Sequence, residues 1–418
     1  MKEGKILVAG AGPVGLSTAI YLHDHGLKVE VIDRDDRTGT HSYALALHPH
    51  TVRLLKMWGK AEGLRANGHA VRYVDFYDHE RRHMRLGLED IPGFEGELLV
   101  IGQDHLEEAL NNLLEERQVP VHWNHRLTDL KPHAGGVELR VETLVEAMSG
   151  YAMARMEVQV EREYDDRADY LIGTDGHFSL TRRKLGLGFP KVGPTQSFAV
   201  FEFKTDADLG EAVHVVFHEN TTSVLWPLPG GYCRWGFEVD EAAAAQFTRD
   251  KDRLMMQVGA HGYSLLDEEV LHDMLKERAP WFSGSIGEFR WRMIVRFEKR
   301  LAEGFGSARV WLAGDAAHLA PPVGMQSMNI GIREGGNLAD AIASVRKGGK
   351  GEKILEAYNM DRQREWRSLL GMDVAFVERE NTTPLIRNNL DQLLGCLPAS
   401  LDNLQGFAEA LDLDLDRG

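Results

Sequence analysis

Two cysteines in 418 residues, Cys233 and Cys396, are too few for a disulfide framework or a zinc cluster, and no C-x-x-C pair is present. Basic residues are also short: 48 Lys and Arg against 64 Asp and Glu give a formal net charge of −16. Phosphate backbones and anionic bilayers bind basic surfaces, so neither nucleic acid nor a membrane surface is an expected partner. No uninterrupted apolar run reaches the roughly 20 residues of a spanning helix. Strand-type sequence begins at Lys5, which leaves no room for a signal peptide; with so little cysteine, a reducing cytoplasm is the expected location. Internal repeats and low-complexity segments are missing too. The remaining composition, 43% hydrophobic and 27% charged, is ordinary for a globular chain long enough for one large core or two domains.

Residues 5–9 (KILVA) are a short apolar run of strand type, and Gly10-Ala11-Gly12-Pro13-Val14-Gly15 follows at once. Residues 16–25 carry apolar side chains at helical spacing, and Gly26 reads as the helix stop. Residues 28–32 read as a second strand, ending at Asp33. Strand, G-x-G-x-x-G, helix, strand and acid in this order form a dinucleotide-binding fingerprint. Gly10 permits the tight turn, Gly12 lets a pyrophosphate approach the backbone, and Gly15 lets helix and strand pack closely. The helix N-terminus turns amides toward the phosphates, and Asp33 is placed to accept hydrogen bonds from an adenosine ribose. This unit does not distinguish NAD from FAD, and its plain alternative is a glycine turn between buried elements.

Further along, residues 71–88 alternate and return as a hairpin, and residues 98–102 make a short strand leading to Gln103. Asp104 and Glu107 resemble a capping box before a helix striped with Leu106, Leu110, Leu113 and Leu114. Residues 119–123 read as a strand, 137–164 as a meander and 170–174 as a buried strand ending at Asp175-Gly176. Four strands within 197–239 suggest a separate antiparallel sheet, 240–281 reads as mainly helical, and 295–300 as a strand. Residues 309–313 form another apolar strand, followed by Gly314-Asp315, a loop over 319–329 and a helix from about Ile330. Residues 352–380 and 383–412 read as two or three amphipathic helices. The last stretch has few basic residues, so core packing or a subunit contact fits it better than a membrane surface. His79-Glu80-Arg81-Arg82-His83 matches the H-E-x-x-H of zinc proteases, but it falls in a hairpin with a period of two. Both histidines cannot then share a helix face, and no metal is expected.

Three stretches together resemble the single-component FAD-dependent aromatic hydroxylases with the p-hydroxybenzoate hydroxylase fold. They are GAGPVG with Asp33-Arg34, residues 170–183 (YLIGTDGHFSLTRR), and residues 310–329 (VWLAGDAAHLAPPVGMQSMN). Their order and spacing match, and the likeness covers roughly residues 5–375. It implies an α/β fold: a Rossmann-type FAD-binding domain (1–70, 98–190 and 288–350) interleaved with an antiparallel β-sheet substrate domain (71–97 and 191–287), plus C-terminal helices (351–418). It implies non-covalent FAD, held by Gly10, Gly12, Pro13, Val14, Gly15, Asp33, Arg34, Tyr43, Gln103, Leu127, Asp175, Gly314, Asp315, Pro322, Gly324, Met325, Met328 and Asn329. The amides of Met328 and Asn329 would face the reduced ring, and Asp315 would either bind the ribityl chain or cap a helix. NAD(P)H is implied as a transient co-substrate without a second G-x-G-x-x-G, and none is present. The cofactor carries the hard chemistry, so no catalytic side chain is named.

Tyr43 stands where this family commonly has Arg. Met325 and Ser327 replace two glycines of the flavin loop, and Glu334 replaces a common Asp. These departures keep a double-bond reductase open as the alternative to a monooxygenase. A halogenase fits less well, because Arg290–Val295 (RWRMIV) supplies one Trp and no Pro of the W-x-W-x-I-P stretch. A flavin-binding scaffold without turnover is the reading from a different class. The expected partner is an aromatic small molecule, and the chain is expected to be a monomer or homodimer. Phe201, Phe203, Phe217, Trp226, Trp235 and Phe237 are the candidate pocket aromatics, about half of which should point away. No Arg or Lys stands out as a carboxylate anchor, which leans the substrate toward a larger, mostly neutral aromatic.

Overall fold

The computed structural model describes residues 4–38, 46–149, 155–249, 255–258, 261–264, 266–348 and 351–417. Its first layer is a six-stranded sheet in the order Gly306–Ser307, Val310–Leu312, Tyr170–Gly173, Ile6–Ala9, Val29–Ile32, Val121–His122. All its pairings are parallel except the one at the Gly306–Ser307 edge. Parallel strands are covered on both faces, which is why residues 6–9 are apolar without alternation. Ile6 and Val8 pack with Leu16, Ala19 and Ile20 of the helix Pro13–Asp24. Leu7 and Ala9 face the opposite way, against Leu130, Val137 and Leu139 of a three-stranded meander.

The second layer is a seven-stranded sheet, ordered Phe289–Phe297, Gln196–Lys204, Tyr232–Val239, Thr221–Leu228, Ala212–His218, Tyr73–Tyr77, Arg82–Gly87. It is antiparallel except where Ala212–His218 meets Tyr73–Tyr77. Its two faces divide the six candidate aromatics. Phe201, Phe203, Trp235 and Phe237 point outward to Leu271 and Leu275 of the helix Glu268–Arg278. Phe217 and Trp226 point inward, to the cluster that holds Val323 of the flavin loop and Leu393 and Leu397 near the C-terminus.

Several local expectations are corrected. The helix expected from Ile330 begins at Gln326. The Asp104–Glu107 box does not form: Gly102 is the N-cap without a side-chain bond, and Glu107 instead accepts from Gln103 Nε2 at 2.7 Å. The expected helical stretch 240–281 contains a strand pair, Met255–Val258 with His261–Ser264, between the helices Glu241–Arg249 and Glu268–Arg278. The C-terminal region is not wholly helical: Val374–Glu378 pairs antiparallel with Leu413–Arg417. The last stretch reads LDLDR, a period of two, and Leu413 is fully buried as a strand residue. His79 lies at a turn and His83 on the strand Arg82–Gly87, where it bonds Asp78 at 2.5 Å. No helix of the described residues is long and apolar enough to cross a membrane.

The long helix Gln326–Arg346 crosses Pro13–Asp24 at close range because three glycines line the contact. A Cβ on Gly335 would lie 2.1 Å from Thr18 Oγ1, one on Gly331 2.8 Å from Val14 Cγ2, and one on Gly336 2.8 Å from the Tyr21 ring. Gly335→Ala should therefore force the helices apart and cost about 1–3 kcal/mol in denaturant unfolding. Adding Thr18→Ala should return most of that loss; a double variant no more stable than the single one would refute the close-approach argument.

Candidate functional site

The N-terminal turn is built as the fingerprint requires. Gly10 has φ +109°, and a Cβ there would lie 2.3 Å from Thr174 O; at Gly15 it would lie 1.9 Å from Gly10 O. At Gly12, the N-cap of the first helix, a Cβ would meet nothing within 4 Å. Gly10 and Gly15 are thus demanded by the protein's own packing, whereas Gly12 faces open space in front of a helix N-terminus. Pro13 takes the first helical position, where its missing N–H costs no bond. Asp33 accepts from the amides of Ala11 at 2.5 Å and Asp35 at 2.9 Å. Burial pushes its carboxyl above the usual range, against the pull of those two amides. Arg34 lies in solvent, 3.8 Å from Asp35. Tyr43 falls outside the described residues. Leu127 is paired across the meander with Val141, and its side chain packs on the core beside Leu7.

Packing brings the three sequence-distant stretches together. Thr174 Oγ1 donates to the carbonyls of Ala9 and Gly10, both at 3.0 Å, joining the second stretch to the first. Asp175 accepts from Ser179 Oγ at 2.5 Å and from Thr181 N and Oγ1 at 3.0 Å, so both its oxygens brace its own turn. Arg182, buried on the ring of Phe189, donates to Ala316 O at 2.7 Å and joins the second stretch to the third. Val14 lies against Gly314 and Gly331, joining the third to the first.

Two hubs hold the flavin loop, and sequence reasoning saw the residues of neither as partners. Asn329 Oδ1 accepts from His48 N at 2.7 Å and Thr51 Oγ1 at 2.9 Å, while its Nδ2 donates to Ala46 O and Met325 O at 2.8 Å. His48 Nε2 lies 3.0 Å from Gly324 O, so the neutral ring donates there; burial pushes its pKa down to about 4. The second hub is Glu334, which is fully buried. It accepts from Gly314 N at 2.9 Å and Trp366 Nε1 at 2.6 Å, and it pairs with His318 Nε2 at 2.8 Å. Burial works to raise the Glu334 pKa, but the His318 charge and hydrogen bond, with Arg362 and the Gly314 amide, hold it below the carboxylate range. Exposed Asp315 is no helix N-cap; it accepts from Ser327 Oγ at 2.8 Å.

The shifted helix start alters the amide assignment. The N-terminal amides of a helix have no partner within it, and beginning at Gln326 leaves those of Gln326, Ser327 and Met328 facing outward, while that of Asn329 enters the ladder. Met325, the N-cap, has φ +50°, a left-handed conformation that suits glycine better. Pro322 and Gly324 bring the chain into that cap, and Gly324 N donates to Gly395 O at 3.0 Å. A Cβ on Gly324 would lie 2.3 Å from Leu397 O, so the C-terminal segment braces the loop from behind. Gln103 opens the helix Gln103–Glu116. An open face at Gly12 and two helix N-termini aimed outward suit a pyrophosphate at one end and an electron-rich ring at the other, which is what FAD presents.

Two substitutions separate cradle from scaffold. Compared free of FAD, Gly12→Val should leave the melting temperature nearly unchanged while abolishing FAD retention on reconstitution, whereas Gly15→Ala should destabilise the fold itself; equal melting losses for both FAD-free proteins would refute the assignment. Acid provides a second test. The unfolded chain protonates His48 near its ordinary 6.5 and the folded chain only near 4, so stability is complete above about 6.5 and falls as pH drops toward 4. The contribution is on the order of 3 kcal/mol. His48→Gln should flatten the stability profile in that window, and an unchanged profile would remove His48 from the loop's support.

Residues 3–371 match the FAD binding domain family. Among curated relatives, the chain is 30% identical over 366 residues to 6-methylpretetramide 4-monooxygenase of Streptomyces rimosus, spanning 86% of this chain but 59% of that protein. It is 27% identical over 372 residues to para-nitrophenol 4-monooxygenase of Pseudomonas sp. (strain WBC-3), spanning 86% of this chain and 82% of the relative. Among solved structures, anhydrotetracycline hydroxylase from Streptomyces rimosus superposes with a TM-score of 0.65 at 25% identity, over 88% of this chain and 67% of that one. With three linked motifs and a match over most of its length, this chain belongs to the FAD binding domain family.

Proposed function

We propose that this chain is an FAD-dependent monooxygenase that uses NAD(P)H and O₂ to hydroxylate an aromatic or similarly electron-rich small molecule. The observation that carries the reading is the outward-facing N-terminus of Gln326–Arg346, presented by a loop that the His48–Asn329 and Glu334 hubs hold still. When bound, FAD supplies hydride acceptance and the activation of oxygen. The protein's work is to bind, orient and keep water out. Gly10, Gly12, Pro13, Val14, Gly15 and Asp33 hold the adenosine-diphosphate end, with Arg34 and Leu127 as outlying contacts. Gln103, Asp175, Gly314 and Asp315 border the middle of the cofactor, and residues 322–329 the ring. The amides of Gln326, Ser327 and Met328 favour negative charge on the ring by pre-oriented dipoles. The inner face of the seven-stranded sheet and the C-terminal segment roof the ring and exclude water.

The segments 1–70, 98–190 and 298–350 form the FAD-binding part and 71–97 and 191–297 the substrate part, the expected boundary at 288 moving because the strand Phe289–Phe297 pairs in the seven-stranded sheet; 351–418 is the C-terminal region. The names of the relatives, among them a para-nitrophenol and a 6-methylpretetramide monooxygenase, support an aromatic substrate. We also propose a cytoplasmic location, with which two free cysteines are in keeping, and a monomer or homodimer. Turnover under ¹⁸O₂ with an electron-rich phenol decides the reaction. One labelled oxygen in the product per NAD(P)H consumed is expected; a reduced, unlabelled product formed equally well without air would overturn the proposal.

A further inference from the structure

A cleft of about 1070 Å³ separates the inner end of the seven-stranded sheet from Gly102–His105 at the start of the helix Gln103–Glu116. Two arginines, Arg234 and Arg290, stand on its sheet wall. Arg234 donates through Nε at 3.0 Å and Nη2 at 2.6 Å to one oxygen of Glu202, a buried carboxylate. Arg290 reaches the other oxygen only as an ion pair at 3.5 Å, and its guanidinium lies flat on Tyr232, 3.5 Å from the ring centroid. Among the described residues Arg290 makes no hydrogen bond. Glu202 therefore serves two guanidinium groups, and a second carboxylate, Glu288, accepts from Tyr232 Oη at 3.1 Å.

Strand register explains why Arg290 is there. Glu202 pairs with Trp291 and Phe203 with Phe289, so Arg290 is the extra residue of a β-bulge. Without the bulge Arg290 would oppose Phe203 on the outer face, among apolar side chains. The bulge turns it inward onto Tyr232 and Glu202; bulges commonly re-aim a side chain beside a functional site. The guanidinium is thus held over the Tyr232 ring, and Arg290 lines the cleft. That is the geometry that takes a carboxylate or phosphate in a forked pair, with an aromatic ring stacked alongside. Other carboxylates border the cleft, and the nearest are occupied. Glu211 pairs with Arg72 at 3.3 Å, and Asp208 accepts from Gly210 N at 3.1 Å; Asp104 lies on the opposite wall.

We propose that Arg290, supported by Tyr232 and Glu202, is the anchor for an oxyanion on a planar aromatic ligand in this cleft. The oxyanion is either a carboxylate of the aromatic substrate or a phosphate of the nicotinamide co-substrate. The inference deepens the oxygenase reading and rests on it for the identity of those two ligands.

Calorimetric titration of the FAD-loaded protein tests it with three probes: 1-hydroxy-2-naphthoate, 1-naphthol and NAD⁺, the last carrying the phosphates of the co-substrate without a hydride to donate. If the substrate carries the anion, the naphthoate should bind about tenfold tighter than the naphthol. Arg290→Gln should erase that preference and leave 1-naphthol within about twofold, and Arg290→Lys, which keeps charge but not the fork, should restore only part of it. If the dinucleotide carries it, Arg290→Gln should weaken NAD⁺ about tenfold and leave the naphthoate-to-naphthol ratio unchanged. Unchanged affinities for all three probes would overturn the anchor. Binding is read without turnover, so a failed ¹⁸O experiment would remove the oxygenase and leave this result standing.

Discussion

A carboxylate without access to water, Glu334, joins three parts of the chain at one point. It takes the amide of Gly314 at the end of a sheet strand, the ring of His318 in the loop that follows, and the indole of Trp366 from the helix Gly351–Leu369. Burying a charge is costly unless every lone pair finds a donor, and removing one partner from such a set leaves the charge exposed to a low dielectric. The His318 ring also stacks on Trp366 with centroids 3.7 Å apart, so the same pair is fixed by packing and by hydrogen bonding. The flavin loop leaves this hub and returns through the Asn329 hub, with both ends of its path defined before any ligand arrives.

Backbone proximity is the second constraint. The helices Pro13–Asp24 and Gln326–Arg346 approach so closely that Gly331, Gly335 and Gly336 have no room for a Cβ. That approach sets the N-termini of the two helices as one rigid unit. Rigid placement matters because dipoles that need not reorient when charge appears stabilise it most. The C-terminal segment adds support from behind through Gly395 and Leu397 at Gly324, although those residues lie beyond the family match at 371.

Two more of the departures from the family pattern, Ser327 and Met325, find local accounts. Ser327 supplies a hydroxyl that engages Asp315 and lies 3.4 Å from His318, so the exposed acid is tied to the loop. Met325 accepts a left-handed backbone to form the helix N-cap, with its side chain packed against the inner cluster.

The sequence by itself determined whatever depends on short spacing. The strand, glycine turn and helix at residues 6–24 were legible because Gly10, Gly12 and Gly15 act within one turn, and the hairpin at 73–87 because alternation is local. Residues 5–9 were legible as a strand from their short apolar run. The three motifs were legible as separate stretches, and the likeness to a family set them in one site. Tertiary structure decided the rest, because it depends on register and long-range packing. His48 and Asn329 lie 281 residues apart, and nothing near either one announces the other. The strand pair Val374–Glu378 with Leu413–Arg417 draws its stability from a partner 35 or more residues away, so helical spacing misled there. Arg290 reads as an outward or inward residue according to a single extra position in the ladder, since a one-residue shift reverses every side chain of a strand. Only the folded sheet could settle which way it points.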